Sequence, residues 1–459
     1  MKPENAAYAY VGAFIDELVR CGVEDLVLCP GSRSTPLALS AVRHEEMTTW
    51  TLIDERSAAF FALGLARGRR APVALLSTSG TAAANFLPAV VEARYSRVPL
   101  VLLTADRPHE LRESGAPQTI DQNRLYGTHA KWFVDVALPE AADLLLRYVR
   151  TVAGQAVGTA LDVPEGPVHL NFPLREPLVP SPEDLPPLED RAAPAWEGRA
   201  GGVPYARAHP GCRVPDAGLI ERLARDLQTA PRGVIVCGPA DRPGLPGAVV
   251  RLAGTLGYPV LADPLSQVRC GRHDRRTVID VYDPLLRVGR VVERLAPDVI
   301  VRIGGVPVSK PLMQYLQRHA SARQIVLDDG GWNDPTRLAG EFIRADASRV
   351  CLDLADAAAG TARDLSVRDG RWLAEWQRLA GAARDGLERA LRGVDEPFEG
   401  KVFSELARLL PDGALLYVGN SMPVRDLDSF FPGSAAGIRI LGNRGASGID
   451  GLISSALGA

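Results

Sequence analysis

The segments VALLS (73–77), TAAANFLPAVVEARY (81–95) and PLVLLT (99–104) follow one another along the chain. The first and third are short apolar runs bounded by polar residues, which suits strands buried on both faces of a sheet. The middle segment is helix-like. A strand, a helix and a second strand in this order predict a parallel strand pair joined by a crossover helix.

The same alternation extends in both directions. Strand-like runs in the first part of the chain are DLVLC (25–29), TTWTLI (48–53), WFVDV (132–136) and VHLNF (168–172). A second series comprises GVIVCG (233–238), PVLAD (259–263), DVIVRIGG (298–305) and QIVLDD (324–329). A third, short series comprises ALLYVGN (414–420) and IRILGNRG (438–445). We therefore predict an α/β protein with three doubly wound parallel-sheet domains, the third of them incomplete.

The predicted domains are separated by segments of different composition. The first domain spans 1–180, and the proline-rich, charged stretch 181–215 is predicted to be a linker. The second domain spans 216–360, a helical connector spans 361–398, and the partial third domain spans 399–459.

The composition excludes several classes of protein. The chain of 459 residues has 52 basic and 55 acidic residues, a net charge of −3, and so lacks the basic excess of a general nucleic-acid binder. The six cysteines include no Cys-x-x-Cys pair and the seven histidines form no cluster, which disfavours a disulfide framework or a zinc site. We expect no signal peptide and no membrane span.

Two polar loops of the first domain follow predicted strands, where ligands of open α/β sheets bind. In PGSRSTP (30–36), Ser32 and Arg33 are candidate anion contacts, although Ser34 or Thr35 could simply cap the next helix. In IDERSAAF (53–60), Asp54 is a candidate helix cap, and Glu55 is either a favourable first-turn acid or a functional carboxylate.

Two further regions have the same character. TADRP (104–108) places Arg107 after an apolar strand, and Gln118 downstream is predicted to begin a helix. GNSMPVRD (419–426) and GNRGASGIDG (442–451) follow adjacent predicted strands, and they contain polar residues and glycines that allow backbone to approach a ligand. Their candidate residues are Asn420, Ser421, Arg425, Asn443 and Arg444.

Taken in order, these motifs match a known family. GSRSTPL (31–37), DERSAAF (54–60), TSGTA (78–82), LLTADRP (102–108), NSMPVR (420–425) and NRGASGIDG (443–451) resemble the 2-succinyl-5-enolpyruvyl-6-hydroxy-3-cyclohexene-1-carboxylate synthases. These are thiamine-diphosphate-dependent enzymes of menaquinone biosynthesis. The resemblance identifies the three predicted domains as pyrimidine-binding, central and diphosphate-binding.

The resemblance also implies a function. It implies a carboligase that decarboxylates 2-oxoglutarate on thiamine diphosphate and adds the resulting succinyl-semialdehyde carbanion equivalent to isochorismate. It further implies magnesium or manganese as the metal, a homodimer or homotetramer, and cofactor sites between subunits. A cytoplasmic protein is the default expectation from the lack of a signal peptide and of a membrane span.

The family's site residues map onto the matching motifs. Glu55 corresponds to the catalytic glutamate that exchanges a proton with the aminopyrimidine ring, and its pKa is expected to be raised by desolvation. Cofactor contacts are implied for Glu55, Gly80, Asn420 and Ser421. Substrate contacts are implied for Ser32, Arg33, Arg107, Gln118, Lys310, Ser421, Arg425 and Arg444. Pro117 stands where family members often have asparagine, which makes the loop geometry of Gln118 less certain.

One family motif is not found in the sequence. The family anchors its metal through a Gly-Asp motif and a later asparagine, but only eight residues follow GIDG (448–451), and none of them is asparagine. We expect the metal ligands to lie beyond residue 459, so that either the sequence is part of a longer enzyme or the 459-residue chain retains its cofactor weakly. Another thiamine-dependent 2-oxo acid carboligase or decarboxylase, or an inactive relative, remains an alternative.

Overall fold

The computed structural model describes residues 3–180, 193–361 and 370–459. The chain forms two compact units: Met1–Gly211 together with Asn443–Ala459, and Cys212–Gly442. The first third of the predicted linker, 181–192, and the beginning of the predicted helical connector, 362–369, lie outside the described residues. The domain bounds given above stay a prediction.

Strands and helices alternate through the first unit, as the sequence predicts. The strands are β1 (Asp25–Leu28), β2 (Thr48–Thr51), β3 (Val73–Ser77), β4 (Leu100–Asp106), β5 (Phe133–Asp135) and β6 (Val168–Pro173). The helices are α1 (Pro3–Arg20), α2 (Thr35–Arg43), α3 (Glu55–Arg69), α4 (Thr81–Ala84), α5 (Leu87–Ser96), α6 (Asp143–Leu161) and α7 (Ala193–Glu197). The helix-like run 81–95 is thus two helices, and Pro88 lies in the first turn of the second, where proline is tolerated.

The six strands of the first unit form one parallel sheet in the order β2-β1-β3-β4-β6-β5. Every residue of β1, β3, β4 and β6 is buried, because helices cover both faces of the sheet. One face packs against the apolar stripe of α1, in which Tyr10, Phe14 and Leu18 have no exposed surface.

The second unit repeats this architecture. Its strands are β7 (Gly233–Cys237), β8 (Val260–Ala262), β9 (Val278–Ile279), β10 (Val299–Ile303), β11 (Arg323–Leu327) and β12 (Glu341–Ile343), which form a parallel sheet in the order β12-β11-β10-β7-β8-β9. Its helices up to the connector are α8 (Ala217–Thr229), α9 (Leu245–Leu256), α10 (Tyr282–Leu286), α11 (Gly289–Arg294), α12 (Lys310–Arg318) and α13 (Ala347–Thr361).

The rest of the second unit contains the helical connector and a small sheet. Helix α14 (Arg371–Arg392) places Trp376 in the core against the sheet helices. It is followed by α15 (Glu399–Leu409), β13 (Leu415–Tyr417), α16 (Met422–Phe430) and β14 (Arg439–Leu441), of which β13 and β14 pair in parallel. The predicted α/β fold of parallel sheets is confirmed.

The last helix of the chain, α17 (Leu452–Gly458), packs on α3 of the first unit. Glycines allow this close approach: a Cβ on Gly64 would lie 1.9 Å from the Ser455 carbonyl oxygen, and one on Gly458 would lie 2.1 Å from that of Phe61. No helix among the described residues has the length and apolar character that crossing a membrane requires.

Candidate functional site

The carboxyl edge of the first sheet collects most of the predicted site residues. Adjacent strands β2, β1, β3 and β4 all run in the same direction, so the loops that follow them leave the sheet at one edge. The order of the strands reverses between β1 and β3, the point at which ligands bind in such sheets. The predicted residues on these loops are Glu55, Ser32, Arg33, Gly80 and Arg107.

The loops after β1 and β3 touch each other at Gly31. A Cβ on Gly31 would lie 2.4 Å from the Thr78 Cβ and 2.8 Å from the Thr78 Oγ1, so only glycine fits there. The Thr78 Oγ1 is buried and has no hydrogen-bond partner among the described residues. A buried hydroxyl without a partner costs free energy, and here it lies at the switch point of the sheet.

Arg33 is held in a buried position beside this contact. Its guanidinium donates from Nη1 to the Leu174 carbonyl oxygen at 2.8 Å and from Nη2 to the Glu176 Oε1 at 2.9 Å. The Arg33 side chain is 6% exposed and that of Glu176 is 73% exposed. The fixed member of this ion pair is therefore the arginine, and its carboxylate partner lies at the surface.

Arg107 lies close to Arg33. Its Nη1 donates to the Ser79 Oγ, and its backbone N–H donates to the Asp106 Oδ1 at 2.7 Å. Burial lowers the pKa of the Arg107 guanidinium, and the charge of Arg33 lowers it further. Two neighbouring guanidinium groups repel each other, and a bound dianion would relieve that repulsion.

Gly80 and Gln118 meet beyond the end of β3. Gly80 has φ +86°, which favours glycine, and a Cβ there would lie 3.0 Å from the Gln118 Cγ. Gln118 has φ +58°, and its Nε2 donates to the Ser79 carbonyl oxygen at 3.0 Å. The prediction that Gln118 begins a helix is wrong: it lies in an irregular loop, because its left-handed backbone conformation does not continue a helix.

A buried polar network that the sequence analysis missed supports these loops. The Gln122 Oε1 accepts from the Gly80 N–H at 2.8 Å, and its Nε2 donates to the Asn171 Oδ1 at 2.8 Å. The Asn171 Nδ2 donates in turn to the Asp106 Oδ2 at 2.9 Å. A signal was available, since Asn171 and His169 are polar residues within the apolar run of β6.

Glu55 is the first residue of α3. Asp54 caps the helix, accepting from the Ser57 N–H at 2.8 Å as predicted, so the cap leaves Glu55 free for another role. Glu55 is only half-buried in the single chain. Burial, together with the nearby charges of Glu55 and Asp54, raises the pKa of the Cys29 thiol to about 12, which makes this cysteine a poor nucleophile.

Arg444 also belongs to the first unit, where it lies on a loop that precedes α17. The next two backbone N–H groups, of Gly445 and Ala446, donate to the two carboxylate oxygens of Glu92, each at 2.7 Å. Asn443 is buried, and its Nδ2 donates to the Ser455 Oγ at 3.1 Å. The loop is thus held on α5 through its backbone and on α17 through the Asn443 side chain.

The second unit contains the other four predicted residues. Lys310 is exposed at the first position of α12, directly after the buried cap Ser309. Asn420 is buried after β13, and Ser421 is the N-cap residue that precedes α16, with φ +69°, a conformation that is strained for a residue with a side chain. Arg425 is exposed, and its Nε donates to the Ser421 carbonyl oxygen at 2.8 Å.

Comparisons with known proteins agree with this arrangement. Residues 10–125 match the family described as thiamine pyrophosphate enzyme, N-terminal TPP binding domain, and residues 216–418 match the middle domain of thiamine pyrophosphate enzymes. The chain is 52% identical over 455 residues to 2-succinyl-5-enolpyruvyl-6-hydroxy-3-cyclohexene-1-carboxylate synthase of Geobacillus thermodenitrificans, covering 99% of this chain and 75% of the relative. The chain belongs to this synthase family.

More distant relatives point to the same family and fold. The synthase of Chloroflexus aurantiacus is 47% identical over 450 residues, covering 98% of this chain and 74% of the relative. The solved structure of a thiamine diphosphate-dependent 4-hydroxybenzoylformate decarboxylase from Rhodococcus jostii has a TM-score of 0.67 at 18% identity, covering 98% of this chain and 78% of that one. The second similarity shows the fold alone. The predictions of a thiamine-dependent enzyme and of this synthase family are confirmed.

The carboxyl edge of the first unit fits the thiamine cofactor of the synthase family. The match to the N-terminal TPP binding domain covers this edge, and the Thr78 hydroxyl there is a buried polar group that has no hydrogen-bond partner among the described residues. Within residues 3–180, 193–361 and 370–459, no group of three or more His, Cys, Asp or Glu side chains could hold a metal ion.

Proposed function

We propose that this chain is a carboligase that decarboxylates 2-oxoglutarate and adds the resulting succinyl-semialdehyde carbanion equivalent to isochorismate. The product is 2-succinyl-5-enolpyruvyl-6-hydroxy-3-cyclohexene-1-carboxylate, the compound for which the related synthases are named. Both substrates are dianions. Their recognition requires several positive groups that stay charged and are held in place.

The observation that carries the proposal is the pair Arg33 and Arg107 at the carboxyl edge of the first sheet. Both guanidinium groups are fixed by hydrogen bonds to neighbouring loops, and each lies within the electrostatic field of the other. Arginine binds carboxylates through two parallel hydrogen bonds, so this pair suits a dicarboxylic acid better than a small neutral acceptor.

The other predicted residues have complementary roles in this proposal. Ser32, Gln118 and Ser421 would donate hydrogen bonds to substrate, while Lys310, Arg425 and Arg444 would add positive charge. Gly80, Asn420 and Ser421 would contact the cofactor. Thiamine diphosphate, when bound, supplies a nucleophilic carbon and an electron sink. The Glu55 carboxyl would give and take a proton at a ring nitrogen of the aminopyrimidine.

The same family resemblance supports the remaining parts of the proposal. A divalent metal, magnesium or manganese, would assist in binding the cofactor. The working protein would be a cytoplasmic homodimer or homotetramer in which a neighbouring subunit covers Glu55. That covering would supply the desolvation expected of Glu55, which the single chain leaves half-buried.

The test is an assay of isochorismate consumption by the gene product with thiamine diphosphate, magnesium and 2-oxoglutarate. We expect loss of isochorismate that stops when 2-oxoglutarate is omitted. Replacing 2-oxoglutarate with pyruvate is the control for another thiamine-dependent carboligase. Equal rates with both acids would contradict the proposed specificity.

A second variant tests the role of Glu55. Glu55→Gln keeps the size of the side chain but removes the carboxyl proton exchange, so we expect turnover to fall by about 100-fold or more, the usual contribution of a positioned general acid or base. Asp54→Asn is the matched control, because asparagine also caps helices well. An unchanged rate for Glu55→Gln would remove Glu55 from the mechanism.

A further inference from the structure

Glu92 is a buried carboxylate on α5, and its role is not explained by the core of the first unit. It is 3% exposed, and its two carboxylate oxygens accept from the consecutive backbone N–H groups of Gly445 and Ala446. The Ser96 Oγ also donates to the Glu92 Oε1. Three hydrogen bonds thus converge on one buried acid.

These bonds fix a segment directly adjacent to a predicted substrate residue. Residues 443–451, which we call the Arg444 loop, carry Arg444 immediately before the two amide groups. Consecutive backbone N–H groups form a concave site for an anion, and here a side chain of the protein fills that site. The loop is therefore fixed by a charge, which forms stronger hydrogen bonds than a neutral acceptor would.

A steric contact reinforces the electrostatic one. A Cβ on Gly445 would lie 2.5 Å from the Ser96 backbone nitrogen and 2.7 Å from the Glu92 carbonyl oxygen. The backbone of the Arg444 loop thus lies directly against the last turn of α5. A side chain at position 445 would push the loop away from the helix.

We propose that Glu92 is a positioning residue, which holds the Arg444 loop on α5 and thereby fixes where Arg444 meets the substrate. This inference rests on the proposed function, because it takes from it the role of Arg444 as a contact to a dianionic substrate. Glu92 itself contacts neither substrate nor cofactor. Its effect on the reaction passes through the backbone of the loop.

The first experiment measures hydrogen exchange along the Arg444 loop in the intact protein. Glu92→Gln replaces one carboxylate oxygen with an NH2 group that cannot accept from a backbone N–H, so one of the two backbone donors loses its partner. We expect exchange at residues 445 and 446 to become about tenfold faster, since a donor without a partner weakens the local structure.

Two further variants make the exchange result specific. Gly445→Ala should quicken exchange in the same loop by steric displacement, without altering Glu92. Ser96→Ala is the matched control, because it removes a bond to the same carboxylate while leaving both amide bonds in place. Unchanged exchange at residues 445 and 446 in both Glu92→Gln and Gly445→Ala would overturn the proposal.

The second experiment separates positioning from general stability. Displacing a group that binds substrate equally in the ground and transition states raises KM and leaves kcat nearly unchanged. We expect Glu92→Gln to raise KM for one of the two acids about tenfold. In an Arg444→Ala background, Glu92→Gln should then raise KM no further. If the two substitutions together raise KM by the product of their separate effects, Glu92 does not act through Arg444.

The two experiments also distinguish failure of this inference from failure of the proposed function. If the unmodified protein does not consume isochorismate, the proposed function fails, and the exchange data still show whether Glu92 holds the loop. If the protein is active and Glu92→Gln leaves KM unchanged, the proposed function stands and the positioning role of Glu92 is wrong.

Discussion

Removing the negative charge of Asp428 tests the buried electrostatics of the second unit. Arg269 and Asp428 are both fully buried, and the Arg269 Nη2 donates to the Asp428 Oδ1. The guanidinium also donates from Nε and Nη2 to the Ala262 carbonyl oxygen at 3.0 and 2.8 Å, and from Nη1 to the Asp428 carbonyl oxygen at 2.9 Å. Tyr282 donates its hydroxyl to the same carboxylate at 2.8 Å.

The expected magnitude follows from this burial. Asp428→Asn preserves the shape of the side chain but removes the carboxylate that is hydrogen-bonded to the buried Arg269 guanidinium. We expect a loss of about 3–5 kcal/mol in the free energy of unfolding, the usual cost of breaking a buried pair from one side. Replacing both residues, Arg269→Met with Asp428→Leu, should recover much of that loss, because no uncompensated charge remains.

Urea denaturation followed by tryptophan fluorescence measures this loss, and the buried Trp376 reports on the same unit. The control is Asp274→Asn, which breaks an ion pair with Arg276 whose side chains are 50% and 86% exposed. Solvent screens that pair, so its removal should not shift the midpoint. A loss below about 1 kcal/mol for Asp428→Asn would refute the reasoning.

Three further predictions follow from contacts in the first unit. Gly31→Ala places a Cβ 2.4 Å from the Thr78 Cβ and should destabilise the protein by about 1–3 kcal/mol in thermal unfolding. If adding Thr78→Gly to this variant restores none of the lost stability, the cause is not steric. Burial lowers the pKa of His169 to about 3, so below its ordinary value the unfolded chain binds a proton that the folded chain does not. Stability should fall by about 1.4 kcal/mol per pH unit from about pH 6.5 towards pH 3, and His169→Gln should remove that slope. Gly64→Ala places a Cβ 1.9 Å from the Ser455 carbonyl oxygen and should quicken hydrogen exchange in α17, whereas unchanged exchange would mean that the two helices part easily.

The sheets could be predicted from the sequence because most strands are buried on both faces. Short apolar runs such as VALLS and PLVLLT suit parallel strands that are covered on both faces, and the strands that they form are fully buried. Strands β9 and β12 were not predicted, since each has only one buried residue and so no long apolar run. In such segments, tertiary pairing decides the conformation rather than any local pattern.

The site could be predicted only in part, and the reason is again physical. Motifs identify residues such as Arg107 that follow strands, because the edge of a parallel sheet collects them. Residues that hold those groups in place, such as Gln122 and Glu92, come from distant parts of the chain and leave no spacing signal. They could be recognised only as polar side chains in buried segments, and the structure is needed to show which segments are buried.

The contact between Arg33 and Glu176 leads to a last prediction about substrate binding. Glu176 holds the Arg33 Nη2 at 2.9 Å, but its side chain is 73% exposed, whereas Arg33 is almost fully buried. A substrate carboxylate that takes this position on Arg33 must first displace Glu176. If Arg33 binds substrate as proposed, the carboxylate of Glu176 would therefore compete with substrate for the same guanidinium.

Glu176→Gln should therefore improve binding rather than impair it. An ion pair with one exposed partner contributes only roughly 0.2–1 kcal/mol, so KM for one acid substrate should fall by about 1.5- to 5-fold while kcat changes little. Steady-state kinetics at two salt concentrations provides the check, because high salt screens the exposed carboxylate and should reduce the difference between the variant and the unmodified protein. A rise in KM would mean that Glu176 orients Arg33 towards the substrate. In that case the surface carboxylate is part of the binding site rather than its competitor.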